Sequence, residues 1–370
     1  MRERHLARLA VLVLALFPCR TLAEATEDKA PAFDAVYVVS EGGEICAYDN
    51  AFRPTSTVRL AGFGETYHVC DADIVPGRNL LVLATSTRET PLMAIGIPSL
   101  EPDPDFGFPF PRPVAQHMPL YVKCLTPRYL LLCDETFFSP DDPRPYSEAL
   151  VDLETRSVVP VRGLRNSGKG GILLPPTSDY FVALGSQGLQ VVSPASGQIL
   201  RRVRYPDEGR FEQCVVEADW AAGRLSLEGT WHSKSAVPSQ RCLDVNLSKG
   251  TVSVILPKGG VPPTASASTP QRDSVMRAWA RVQERSHGGT TWVVTDRHTM
   301  TVLDKFAAAL PKDTEPAFGK IFVSPDDRYI FATHYDSQRG VTMVSVYSAE
   351  TAEVINSFSC EGGILGVLFR

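Results

Sequence analysis

His68-Val69-Cys70, followed by Asp71 and Asp73, puts potential metal ligands on alternate residues of one short β-type run. Residues two apart on a strand share a face, so His68 and Cys70 can point together. A metal site usually takes three or four ligands, and the further ones are not assigned. A packed histidine beside a core cysteine accounts for the pair. The remaining mature histidines, His117, His232, His287, His298 and His334, are scattered without an HExxH spacing. Serines lack a GxSxG context, and Gly168-Lys169-Gly170-Gly171 lacks the spacing of a phosphate-cradling loop. Asp105, Asp141 and Asp142 read as solvated loop carboxylates. The sequence therefore offers no catalytic constellation, no cofactor-binding motif and no metal site.

Cysteine chemistry is the next candidate. The chain has eight cysteines, and Cys19 falls in the N-terminal leader described below, which leaves seven. None has CxxC spacing, so zinc-ribbon or thioredoxin chemistry is not indicated. Cys124 and Cys133 flank the turn Thr126-Pro127-Arg128-Tyr129 at nearly equal distances. They are a candidate disulfide across a hairpin, with two free core thiols as the equal alternative. Cys214 and Cys242 form a weaker second pair. An odd count leaves at least one thiol unpaired within the chain.

The elements that must position these residues are strands. Lys320–Val323, Tyr329–Thr333, Val341–Tyr347 and Val354–Phe358 are runs rich in Val, Ile and aromatics, separated by Pro/Asp/Gly punctuation. Four such strands in series make one blade of a β-propeller. The turn before each second strand recurs at Pro76-Gly77-Arg78-Asn79, Pro127-Arg128-Tyr129, Thr177-Ser178-Asp179-Tyr180, Ala222-Gly223-Arg224 and Pro325–Tyr329. The turn after each third strand recurs at Asp152, Ser193, Asn246 and Ser348, whose side chains suit turn starts. Landmarks lie roughly 45–50 residues apart, within the propeller range.

The expected fold is all-β, a seven-bladed propeller. Blades fall near 33–60, 66–115, 119–161, 168–204, 210–256, 274–311 and 317–358, with Phe306–Leu310 of the sixth reading more as a helical turn. Residues 362–369 form a further strand after a complete blade, and the first region, 35–60, supplies only three. The C-terminal strand is expected to join that first blade and close the ring, which removes an open edge. A β-sandwich with an unpaired tail is the competing architecture. Two insertions break the rhythm. Pro98–Pro119, with Phe106, Phe108 and Phe110, reads as a strap packed on the ring, and Gly259–Arg272 as a solvated loop. Polar residues on inner strands, His68, Lys123, Glu212, Arg277 and Lys320, are candidates for lining the central channel, or are simply solvated there.

Composition narrows the partners. Charged residues are 21%, the net charge is −5, and no Lys/Arg run stands out, so nucleic acid is not an expected partner. Arg2, Arg4, His5 and Arg8 precede an apolar stretch, Leu9–Phe17, and then Thr21-Leu22-Ala23. That pattern is a secretory signal peptide with cleavage after Ala23, too short to span a bilayer. The expected organisation is a leader over 1–23, a linker over 24–32 and the propeller over 33–370. No membrane span is expected, and the mature chain should be periplasmic or secreted.

Val323-Ser324-Pro325-Asp326-Asp327-Arg328-Tyr329-Ile330-Phe331-Ala332, with Val344–Thr351, resembles the YVTN-type propeller repeat of exported bacterial proteins. Leu125-Thr126-Pro127, Leu130-Leu131-Leu132, Phe138-Ser139-Pro140, Ala149–Leu153 and Leu174–Phe181 are similar to the heavy chain of quinoprotein amine dehydrogenases. The resemblance implies a subunit that carries no cofactor itself. A tryptophan-derived quinone would sit on a small, cysteine-rich exported partner, cradled by this chain, with electrons passing on to a cupredoxin or cytochrome. The alternative is a stand-alone YVTN-type module binding a ligand or protein with no redox role. A propeller lactonase ranks third, because no acid–base pair is visible.

Overall fold

Turn chemistry shapes this chain as strongly as its strands do. The computed structural model describes residues 31–370 except 65, 88–89, 105, 109–120, 134–147, 162, 165–170, 178, 186–187, 207–208, 234–238, 256–277, 285–289, 297–300, 303–320, 327, 337–338 and 340. The leader and nearly all of the linker, with Arg277, Lys320, Phe306–Leu310 and the 259–272 loop, lie outside the described residues. Residues 32–370 form one compact unit.

Among the described residues the chain is all-β, laid out as seven antiparallel sheets in chain order. The first combines β1 (Ala35–Ser40), β2 (Glu44–Asp49) and β3 (Pro54–Arg59) with the final strand, β27 (Ile364–Phe369). The second holds β4 (Val69–Ile74), β5 (Leu80–Thr85), β6 (Leu92–Gly96) and β7 (Glu101–Pro102). The third holds β8 (Tyr121–Cys124), β9 (Tyr129–Cys133), β10 (Glu148–Asp152) and β11 (Ser157–Val161). The fourth runs through β12 (Ile172–Leu173), β13 (Phe181–Gly185), β14 (Gly188–Val192) and β15 (Ile199–Arg204). The fifth runs through β16 (Gly209–Asp219), β17 (Arg224–Ser233), β18 (Ser239–Asn246) and β19 (Thr251–Ile255). In the sixth, β20 (Ala278–Glu284), β21 (Thr290–Asp296) and β22 (Thr301–Val302) are described. The seventh holds β23 (Ile321–Val323), β24 (Tyr329–Asp336), β25 (Val341–Ser348) and β26 (Val354–Glu361). Repeated four-stranded antiparallel sheets are the architecture of a propeller.

The C-terminal strand lies antiparallel to β1, with Val36 opposite Phe369, Tyr37 opposite Leu368 and Val38 opposite Val367. Hydrogen bonds from Asp34 N to the Arg370 carbonyl (2.6 Å) and from Glu41 N to the Gly363 carbonyl (2.7 Å) continue the ladder beyond both strand ends. The edge of β1 is thereby covered by the other end of the chain.

Strand alternation builds the core as interfaces between successive sheets. Val36 and Val38 of β1 face the seventh sheet, in one cluster with Phe331, Val344 and Val346. Tyr37 and Val39 face the second sheet, in another cluster with Leu81, Leu83 and Ile95. Further clusters join the second sheet to the third, the third to the fourth, and the fourth to the fifth. Each fully buried Val, Leu or Phe contributes about 1.5–3 kcal/mol by leaving water. Of the strap residues, Phe106 and Phe108 are half-buried with ring centroids 4.9 Å apart, packed on the cluster between the second and third sheets.

The turn after each third strand is one repeated unit. Leu100 N, Gly197 N, Gly250 N and Ala352 N donate to the carbonyls of Gly96, Ser193, Asn246 and Ser348 at 2.8–2.9 Å. The donors are left-handed, with φ of 59°, 68°, 68° and 60°. Arg156, at the matching place after Asp152, has φ 55°. Glycine adopts this conformation freely and other residues are strained in it. Asp152 also accepts from Arg128 Nε and Nη2 (3.0 and 2.6 Å) and from Glu154 N (2.9 Å). The Arg128 guanidinium holds the Asp152 carboxyl well below the usual carboxylate range, against the opposing effect of burial. In the fifth sheet Arg224 pairs with Asp244, two residues before Asn246, which stands where Asp152 does.

Candidate functional site

The described polar groups with chemical potential gather at two seams between sheets. The first lies where β4 meets β8. β8 ends its sheet, so alternate N–H groups on its open edge need partners. Asp71 Oδ2 accepts from Val122 N and Asp73 Oδ2 from Cys124 N, both at 2.9 Å. Both bonds span 51 residues, so the two inner strands are displaced by one constant repeat. Lys123 Nζ lies 3.6 Å from Asp73 Oδ2, with side chains 26% and 15% exposed. Asp71 and Asp73, grouped with His68 and Cys70 by sequence, instead tie one sheet to the next.

His68 and Cys70 take separate roles because the strand is irregular between them. The register of β4 shifts between Val69 and Asp71, which makes Cys70 the extra residue of a bulge and breaks the alternation. His68 precedes the strand and is exposed, and its N–H donates to Ser86 Oγ at 2.8 Å. Cys70 is half-buried against the cluster between the second and third sheets, and burial first, then Asp71, pushes its thiol up. Of the other channel candidates, Lys123 is ion-paired as above, Glu212 belongs to β16 with its side chain outside the described residues, and Arg277 and Lys320 lie outside them altogether.

The hairpin of the third sheet corrects the cysteine pairing. Cys124 stands opposite Leu130, and Cys133 stands opposite Tyr121. Three residue steps along a strand separate the two positions by about 10 Å, beyond the Cα spacing a disulfide tolerates. The turn is centred on Pro127, short of the midpoint between Cys124 and Cys133. Cys124 is a buried thiol, and the side chain of Cys133 lies outside the described residues. Cys214 and Cys242 stand on β16 and β18, with β17 between them.

The second seam lies between the first and seventh sheets. Cys46 on β2 and Cys360 on β26 are both buried free thiols, 314 residues apart in the chain, with sulfurs 3.8 Å apart. Glu44, two residues before Cys46 on the same face, places a carboxylate oxygen within 4.8 Å of both sulfurs. Among the described residues this is the one trio of potential metal ligands within such reach. Glu44 Oε2 accepts from Glu361 N at 2.8 Å, and Arg59 Nη1 pairs with Glu361 at 2.8 Å. Tyr48 continues the row and stacks on Phe358, with centroids 4.2 Å apart. The Cys360 S–H donates to the Cys46 sulfur, which lowers the Cys46 thiol below its ordinary value while burial opposes that shift. Cys360 is pushed up, first by the same bond and then by burial. Sequence reading missed this trio because no local pattern links positions 314 residues apart.

No helix among the described residues is long and apolar enough to cross a membrane. No protein-family model matches the chain, and no curated protein matches it in sequence. Solved structures match it in shape. A quinoprotein alcohol dehydrogenase-like protein from Bacteroides thetaiotaomicron aligns over 91% of this chain and 78% of its own, at 10% identity and TM-score 0.50. AztD from Citrobacter koseri aligns over 90% of this chain and 97% of its own, at 11% identity and TM-score 0.42. The C-terminal WD40 domain of Sif2 aligns over 92% and 84%, at 10% identity and TM-score 0.43. At these identities the likeness is one of fold, and the chain joins such propeller-like proteins as an all-β assembly of repeated four-stranded antiparallel sheets.

Proposed function

We propose that the chain is an exported, seven-bladed propeller that works as a non-catalytic binding or scaffold subunit, its ring closed by β27. The observation that carries this reading is the use made of the inner-edge charges. Asp71, Asp73 and Lys123 are committed to holding β4 against β8. In a catalytic propeller such groups would converge on a substrate, whereas here they serve the frame. Recognition then falls to the loops that the frame presents.

The YVTN-type repeat and the likeness to amine dehydrogenase heavy chains give the proposal a finer form. In that form the partner is a small, cysteine-rich exported chain bearing a tryptophan-derived quinone, and this chain docks it for amine oxidation. Coexpression with a small exported cysteine-rich chain from a neighbouring reading frame tests it. Size-exclusion chromatography with light scattering is expected to show one complex, which reduces a redox dye when a primary amine is added. A chain that stays monomeric, with no amine-dependent reduction, rejects the docking role and favours the stand-alone binding module.

A further inference from the structure

From the contact between Cys46 and Cys360 we infer that these two thiols are the site of a disulfide that staples the first sheet to the seventh. The staple does not depend on which partner the propeller binds. Both side chains are nearly dry, at 6% and 2% exposure, and lie within the apolar cluster that joins these sheets. Their sulfurs, 3.8 Å apart, must approach to about 2.05 Å to bond. The backbone around Cys360 is already pinned to receive the link. Thr342 Oγ1 donates to the Gly362 carbonyl at 2.6 Å, Glu361 N donates to Glu44, and Glu361 pairs with Arg59. β27 begins four residues after Cys360, so the staple anchors the root of the strand that covers β1.

The chemistry balances with a disulfide-bearing oxidant acting before the seam is sealed. The Cys46 thiolate attacks one sulfur of the oxidant, and the other sulfur leaves as a thiolate. The Cys360 thiolate then attacks the Cys46 sulfur of the mixed disulfide and displaces the second thiolate. The protein's two thiols lose two protons and two electrons, and the oxidant is reduced to two thiols. A metal is the competing occupant, since Glu44 lies within reach of both sulfurs. Structural zinc takes four protein ligands and a catalytic zinc keeps an open position for water. Here the trio supplies three ligands, and the Glu44 carboxylate already accepts from Glu361 N.

The test uses the full chain, refolded in a glutathione disulfide buffer and also recovered after export. Alkylation in denaturant followed by peptide mapping is expected to show Cys46 and Cys360 joined and protected from the reagent. Reduction should lower the thermal midpoint by about 5 °C. A C46A/C360A variant should melt near the reduced protein and ignore reductant; should it fail to fold, the reduced native sequence serves as the comparison. Alkylation of both thiols in the oxidised protein overturns the inference. So does one equivalent of zinc retained through dialysis with both thiols reduced, or a midpoint indifferent to reductant.

Discussion

The seam between the second and third sheets and the seam between the seventh and first solve one problem with different chemistry. At the first, carboxylates of β4 cap the open edge of β8, which adds a directional polar contact to the apolar cluster there. At the second, Phe52, Phe331 and Phe369 interleave, with Phe331 centroids 5.8 and 5.2 Å from the other two, and two thiols meet behind them. The contrast follows from the chain's path. β4 and β8 are displaced by one repeat, so Asp71 and Asp73 each meet the N–H of the residue one repeat further on. The other seam joins the two ends of the domain, where an apolar cluster brings them together.

The comparison breaks most visibly at Phe331. Phe331→Ala is expected to cost about 4 kcal/mol by chemical denaturation, with amides of β27 losing protection before those of β8. Equal loss at both would mean that the seams are not separate units. Asp73→Ala removes the cap on Cys124 N and strands Lys123, so a cost of about 2 kcal/mol is expected. Asp73→Asn should cost less, because an amide oxygen can still accept from that N–H. A cost for Asp73→Ala within error of zero would show that the β8 edge needs no clamp.

Proton uptake sharpens the contrast within the seventh sheet. His334 of β24 is buried on the face turned from the first sheet, and among the described residues its Nδ1 has no hydrogen-bond partner. Burial lowers its pKa, against a smaller opposing pull from Asp336. The unfolded chain therefore binds a proton near pH 6.5 that the folded chain refuses. Stability should be full above about pH 6.5 and fall as the pH drops towards the lowered folded value. His334→Met should flatten this acid limb in a series of denaturant melts; an unchanged limb would assign it to another group. The smallest effect lies in the repeated turn. Arg156→Gly relieves a left-handed residue and should add about 0.5–1 kcal/mol, while Gly197→Ala should lose a similar amount.

Local chemistry was legible in the sequence, and long-range register was not. Val/Ile/aromatic runs and Asp, Asn and Ser turn starts marked the strands and the third-strand turns, because period-two alternation and turn geometry are properties of a few adjacent residues. The bulge at Cys70 carries no composition signal, so His68 and Cys70 looked like neighbours on one face. The off-centre β8–β9 turn undid the Cys124–Cys133 pairing for the same reason. Asp71 and Asp73 were visible as charges, yet their partners are backbone N–H groups, which every residue but proline carries. Cys46 and Cys360 become a pair only once the two ends of the domain are brought together.

Hydrogen exchange of the C-terminal peptide tests the closure by β27 most directly. Amides of 364–369 should exchange as slowly as those of β1 and lose protection together with them as denaturant is added. Exchange of 364–369 within seconds, while β1 remains protected, would contradict it.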